Sequence, residues 1–125
     1  ELLAGYVALG RLLEGARHWD GMRELLAHAR RHLPLADGPD VRSADEALGR
    51  RDAAGAGLFR LVLARKAVEE GDALMSADRF ELLRGAWVRY RMAADLAPSW
   101  VDARRRLDAL QARIGEPALP VSRMR

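Results

Sequence analysis

Two histidines four residues apart, His28 and His32, are the nearest approach to a metal-binding pair in this sequence. At that spacing both imidazoles share one face of a helix, a geometry that holds zinc when further ligands join. None is evident. The residue after His28 is Ala29, where a metalloprotease would carry its general-base glutamate, and Arg30 and Arg31 repel a cation. His28 and His32 read as surface histidines, and so does His18 in the turn before Trp19. The carboxylates Glu69, Glu70 and Asp72 fall beside Arg65 and Lys66. A general acid–base pair needs a cleft that lifts one pKa, so an ion-paired helix surface explains them more simply. Ser43, Ser76, Ser99 and Ser122 stand at cap, turn or tail positions without a neighbouring base, and Gly55-Ala56-Gly57 lacks the lysine and spacing of a phosphate loop. These residues define no catalytic, cofactor or metal site, and the expectation is a protein that is not an enzyme and holds no cofactor.

The arginines at the far end have more to offer. Arg104, Arg105 and Arg106 are consecutive, and on a helix Arg106 and Arg113 project together near Trp100, which offers a stacking face. That arrangement suits a nucleic acid or a bound carboxylate. Asp102 and Asp108, three or four residues from Arg105 and Arg104, are placed to neutralise them, so a charged face on a terminal helix is the simpler expectation. Trp19 and Trp87 are expected in the core and Trp100 partly exposed, which makes Trp100 the better candidate for a partner contact.

Helices must position all of these groups. Leu2, Leu3, Tyr6, Val7, Leu9, Leu12 and Leu13 recur at three- and four-residue spacing and predict one broad helical stripe. Gly15 to His18 interrupts it, and Trp19, Met22, Leu25, Leu26, Ala29 and Leu33 form a second stripe that Pro34 ends. The turn formers from Pro34 to Asp40 separate this hairpin from a third helix. Ser43 and Glu46 read as its capping box, with an end near Ala54 and a break at Gly55 and Gly57. Leu58, Leu61, Val62, Val68, Leu74 and Met75 predict a fourth helix, with Ser76 and Asp78 turning the chain. Phe80, Leu83, Trp87, Tyr90 and Leu96 predict a fifth, closed by Pro98. A sixth, capped by Ser99, carries Val101, Ala103, Leu107, Leu110 and Ile114, with Gly115 and Pro117 as stop signals. The fold class is all-α: about six helices in stacked antiparallel hairpins, forming a single domain over residues 1–116 with a flexible tail at 117–125.

Bulk composition agrees. Half of the 125 residues are hydrophobic, 31% are charged, and neither threonine nor asparagine occurs. The absence of cysteine excludes disulfides, thiolate metal sites and a cysteine nucleophile, and leaves cytoplasm and periplasm equally compatible. No apolar run reaches the roughly 18 to 20 residues a bilayer-spanning helix needs, so no membrane insertion is expected. A net charge of +3, carried by arginine with Lys66 as the only lysine and acids interspersed throughout, argues against a dedicated nucleic-acid binder. The start at Glu1, without a methionine, leaves room for a longer protein with preceding segments.

The residues resemble the tetratricopeptide repeat (TPR) family. Tyr6, Leu9, Gly10, Leu13, Trp19, Met22, Leu26, Ala29 and Pro34 fall at the spacings of its signature, with Gly10 in the place of its small helix-crossing residue. The stretch Ala67 to Glu81 again resembles a TPR first helix and turn, with Gly71 as the small residue, and Tyr90, Ala93 and Pro98 look like the end of the paired helix. Counting from Gly71 and from Pro98 disagrees by three residues, so this second repeat departs from the pattern. Residues 37–66 match no phase of it, and the run Ala97 to Ala103 is similar to the junction between two repeats, which makes the last helix the start of another repeat or, as the preferred reading, a solvating cap. About two thirds of the chain is covered.

The resemblance implies a TPR-like superhelix whose concave groove holds an extended peptide or a partner helix, without catalysis. By resemblance, Ala4, Val7, Ala8, Arg11 and Glu14 would line that groove from the first helix, Arg65, Val68, Glu69 and Asp72 from the fourth, and Arg105 and Arg106 from the last, with Trp100 at the end of the array. TPRs that bind chaperones clamp a C-terminal carboxylate with a lysine and an asparagine. Val68 and Asp72 stand at the matching positions here, so no such clamp is expected. The expected function is a scaffold or adaptor for protein–protein interaction, binding another protein or a peptide, with a homodimer as a close variant. The expected setting is a larger bacterial assembly, and alanine and arginine richness suggests a GC-rich genome. The alternatives are a nucleic-acid-binding accessory using the C-terminal arginines and the helical appendage of a larger enzyme.

Overall fold

The computed structural model describes residues 2–33, 39–77 and 79–115. The regular structure among them is all helical: α1 (Leu2–Gly15), α2 (Trp19–His32), α3 (Pro39–Gly49), α4 (Ala54–Ser76), α5 (Phe80–Leu96) and α6 (Val101–Gly115). The turn formers at 34–38, Asp78, the side chain of Ile114 and the tail at 117–125 lie outside the described residues. No helix among the described residues is long and apolar enough to cross a membrane. The chain divides into two compact units, Glu1–Lys66 and Ala67–Arg125, with the division inside α4.

In the first unit α1 packs on α2 and α2 on α3, around a core whose largest fully buried side chains are Phe59, Leu3, Met22, Leu26, Leu48 and Leu63. The α1–α2 turn is set by Arg17 in the left-handed region at φ 55°. His18 Nδ1 then accepts a hydrogen bond from the Gly21 N–H at 2.8 Å, so this histidine caps α2, a place that serine, threonine or aspartate usually fills. At the far end the Leu33 backbone is extended, as expected of a residue before proline. Phe59 at the start of α4 lies against α1: a Cβ on Gly10 would meet its Cε2 at 2.7 Å. A side chain at that crossing would force the ring or the helices to shift.

The third helix begins and ends earlier than the expected capping box and glycine break suggest. Pro39 opens α3, because at the first helical position its missing N–H costs nothing, and Ser43 lies within the helix. The break falls at residues 50–53. Arg51 takes φ 57° and Asp52 Oδ1 accepts from the Ala54 N–H at 3.0 Å, so an Asp cap starts α4 before either glycine. Gly55 and Gly57 are both helical, and Gly55 gives room to Leu48 of α3. In α4 the consecutive residues Val62, Leu63 and Ala64 are all buried, so the helix is covered on more than one face.

In the second unit α5 packs on α6, burying Leu83, Ala86, Tyr90, Ala93, Leu107 and Leu110. The end of α4 meets α5 where a Cβ on Gly71 would come within 2.6 Å of Tyr90 Cε1. α6 begins at Val101, so Trp100 and not Ser99 precedes it. Trp19 and Trp87, expected in the core, are half-buried, as is Trp100. Trp87 stays near the surface because its indole Nε1 donates to Gln111 Oε1 at 3.5 Å and Arg91 stacks 5.7 Å from its ring centre.

Candidate protein-binding surface

The charged residues singled out from the sequence are largely spent on tying helices together. In the first unit Arg60 of α4 pairs with Glu14 of α1, and Arg65 Nε lies 2.7 Å from Asp40 Oδ2 on α3. Arg23 of α2 takes Asp45 of α3 in both prongs of its guanidinium, at 3.0 and 3.2 Å. That forked hydrogen bond pulls the Asp45 carboxyl below the usual carboxylate range and raises the Arg23 guanidinium. In the second unit Asp72 Oδ1 accepts from the Tyr90 hydroxyl at 2.6 Å and from Arg106 Nε at 3.0 Å, joining α4, α5 and α6 at one carboxylate oxygen. Burial, and then the Asp72 bond, hold the Tyr90 phenol well above its ordinary pKa. Glu70 receives Arg89 Nε at 3.0 Å, and Arg104 pairs with Asp108 one helical turn on.

Of the residues expected to line a groove, Val7, Arg11, Glu14 and Arg65 belong to the first unit, and Val68, Glu69, Asp72, Trp100, Arg105 and Arg106 to the second. Val7 and Val68 are 8% and 6% exposed and offer little to a partner. Glu14, Arg65, Asp72 and Arg106 sit in the ion pairs just described. Glu69 and Trp100 are each engaged in an interaction. Arg11 and Arg105 are exposed, as are Ala8 and, in part, Ala4. Within the second unit the structure thus brings Asp72 and Arg106 together.

A different surface emerges on α1. Its apolar residues span on the order of 220° of the helix at 100° per residue, too wide an arc to face one core. Leu3, Tyr6, Val7 and Gly10 are buried, whereas Leu2, Leu9 and Leu12 are 53%, 45% and 71% exposed. Leu2 and Leu9 border a concavity of about 680 Å³ between α1 and α2, whose walls include Gly5, Gly21, Glu24, Leu25 and His28. The sequence pattern placed these leucines on one broad stripe with the buried residues; the width of that stripe was the signal that two faces were present. His28 is fixed at the edge of the concavity, its Nδ1 hydrogen-bonded to the Tyr6 hydroxyl at 2.5 Å and its ring 4.2 Å from that of His32. Among the described residues no group of three or more His, Cys, Asp or Glu side chains is placed to hold a metal ion. On the second unit Phe80, expected in the α5 stripe, is 81% exposed, above a smaller hollow shared with Leu83, Arg84 and Trp87. No family model, curated protein or solved structure matches this chain.

Proposed function

We propose that the chain is a non-catalytic protein-interaction module, a scaffold or adaptor of helical-hairpin type, that takes an apolar helix or peptide of a partner on the face formed by α1 and α2. A single observation carries this reading: Leu2, Leu9 and Leu12 of one helix stand about half or more exposed, and Leu2 and Leu9 border a largely apolar concavity, while Glu14, Arg60, Asp72 and Arg106 are held in helix-to-helix pairs. Scattered exposed leucines need no explanation, but a contiguous apolar face loses the stability that burial would bring and marks an interaction surface. The carboxylates nearest to a catalytic pair, Glu70 and Asp72, are each held by an arginine, which supports a structural role for them.

The TPR-like reading rests on the sequence resemblance, in which Gly10 and Gly71 stand at the small helix-crossing positions. Gly71 meets the neighbouring helix of its own hairpin, α5, whereas the crossing partner of Gly10 is α4 and not α2. The arginines of α6 give a nucleic-acid reading little support, since Arg104 and Arg106 each face a carboxylate.

Differential capture tests the proposal. Immobilised parent chain, Leu9→Glu and Arg105→Glu are exposed to extract of the cells that make the protein, and circular dichroism confirms that each variant is folded. A protein retained by the parent and by Arg105→Glu but at least about tenfold less by Leu9→Glu is expected, because a buried unpaired carboxylate costs an interface more than about 1.4 kcal/mol. Retention that Leu9→Glu leaves unchanged, or no retained protein, rejects the α1–α2 face.

A further inference from the structure

Resting on the α1–α2 face as a protein-binding surface, we infer that its occupant is α1 of a second copy of this chain, packed antiparallel across a two-fold axis.

Shape is the first argument. At helical spacing Leu2, Gly5, Leu9 and Leu12 lie along the outward face of α1, and all four are exposed. A Cβ on Gly5 would meet nothing within 4 Å, so that position is an open notch beside the Leu9 ridge. Laid antiparallel about a two-fold at the level of Val7, two such helices bring Leu9 of each over Gly5 of the other and Leu2 of each beside Leu12 of the other. Ridge meets notch and apolar meets apolar twice over, as an isologous interface requires.

Charge is the second. The charged residues of the described α1, Arg11 and Glu14, fall on the far side of the helix, and Glu14 is turned to Arg60. The outward strip of α1 itself is therefore neutral along its length, and the carboxylate of Glu24 on α2 stands on the wall of the concavity beside it. Two such α1 strips meet without like-charge repulsion between the helices.

Size sets the strength. A strip 14 residues long and one helix wide, about 21 Å by about 10 Å, is smaller than the roughly 800 Å² that each side gives to a standard interface. The pairing is accordingly weak and reversible.

Sedimentation velocity over a concentration series from about 10 µM to about 1 mM, the range in which a weak pair shows itself, tests the pairing, with circular dichroism on every variant. The average mass of the parent should climb towards twice that of the chain. Leu9→Glu should stay monomeric, and Gly5→Leu, which fills the notch, should weaken association by about a hundredfold. Combining Gly5→Leu with Leu9→Ala exchanges ridge and notch and should restore most of the association, an outcome that only this register produces. Arg105→Glu on α6 should leave it unchanged. A monomeric parent at the highest concentration overturns the inference, as does a dimer indifferent to Leu9→Glu or one broken by Arg105→Glu. In the first case a different protein caught through Leu9 still upholds the binding face. If neither a copy nor another protein depends on Leu9, the face itself is rejected.

Discussion

Changing Gly10 or Gly5 to alanine puts the same methyl group on the same helix and should move stability in opposite directions. Alanine is about 1 kcal/mol better than glycine in a helix interior. At Gly5 that gain is unopposed, because an added Cβ meets nothing within 4 Å, and Gly5→Ala should stabilise by about 0.5–1 kcal/mol. At Gly10 the methyl would sit 2.7 Å from Phe59 Cε2. Phe59 is 1% exposed and has no solvent to swing into, so either α1 and α4 separate or the ring leaves its rotamer. Overpacking of that kind costs about 1–3 kcal/mol, and less the helical gain Gly10→Ala should destabilise by about 0–2 kcal/mol. The gap between the two variants is thus about 1–3 kcal/mol, several degrees in melting temperature for a domain of this size. Thermal and urea unfolding of both variants read it directly. Phe59→Leu supplies a cycle: in that background Gly10→Ala should lose most of its penalty, since the clashing ring edge is gone. If Gly10→Ala stabilises as much as Gly5→Ala, or its penalty persists in the Phe59→Leu background, the close crossing of α1 and α4 is wrong.

Two further predictions concern the polar groups that fix α2. Asp45→Asn should cost under about 1 kcal/mol at neutral pH, because the forked pair with Arg23 is partly exposed. The folded-state pKa of Asp45 is lowered, so its contribution is fully present above the ordinary carboxylate value and is lost as pH falls below that value and through the lowered one. Asp45→Asn should therefore flatten the acid limb of a stability–pH curve and leave the neutral limb parallel to that of the parent. His18→Ala should cost about 1 kcal/mol by orphaning the Gly21 N–H, and His18→Asn, which keeps an acceptor at the cap, should recover most of it in the same unfolding assay.

How much of this was legible in the sequence varied with the kind of signal. The ends of α2 and α5 followed from Pro34 and Pro98, since proline cannot extend a helix and forces the residue before it to be extended. The α3–α4 junction did not. Ser43 with Glu46 imitates a capping box, but Pro39 is already a favoured first residue, and the Asp52 cap ends the break before Gly55 and Gly57 can act as breakers. The glycines acted as spacers: Gly10, Gly55 and Gly71 admit Phe59, Leu48 and Tyr90, contacts that local sequence does not specify. The ion pairs of Asp72 with Arg106 and of Glu14 with Arg60 join residues 34 and 46 positions apart, beyond any helical periodicity. The exposed leucines of α1 were hidden by their own abundance, because seven large apolar residues on one helix read as a single broad stripe until packing sorts them into an inner and an outer face.

The central claim is that the outward face of α1 meets another protein in the cell. A photoreactive benzoylphenylalanine in place of Leu9, compared with one in place of the exposed Arg105 on α6, tests it most directly in cells that make the protein. The account predicts discrete cross-linked adducts from position 9, at twice the chain mass if the partner is a second copy, with few or none from position 105. Position 9 yielding no adduct, or the same adducts as position 105, would contradict it.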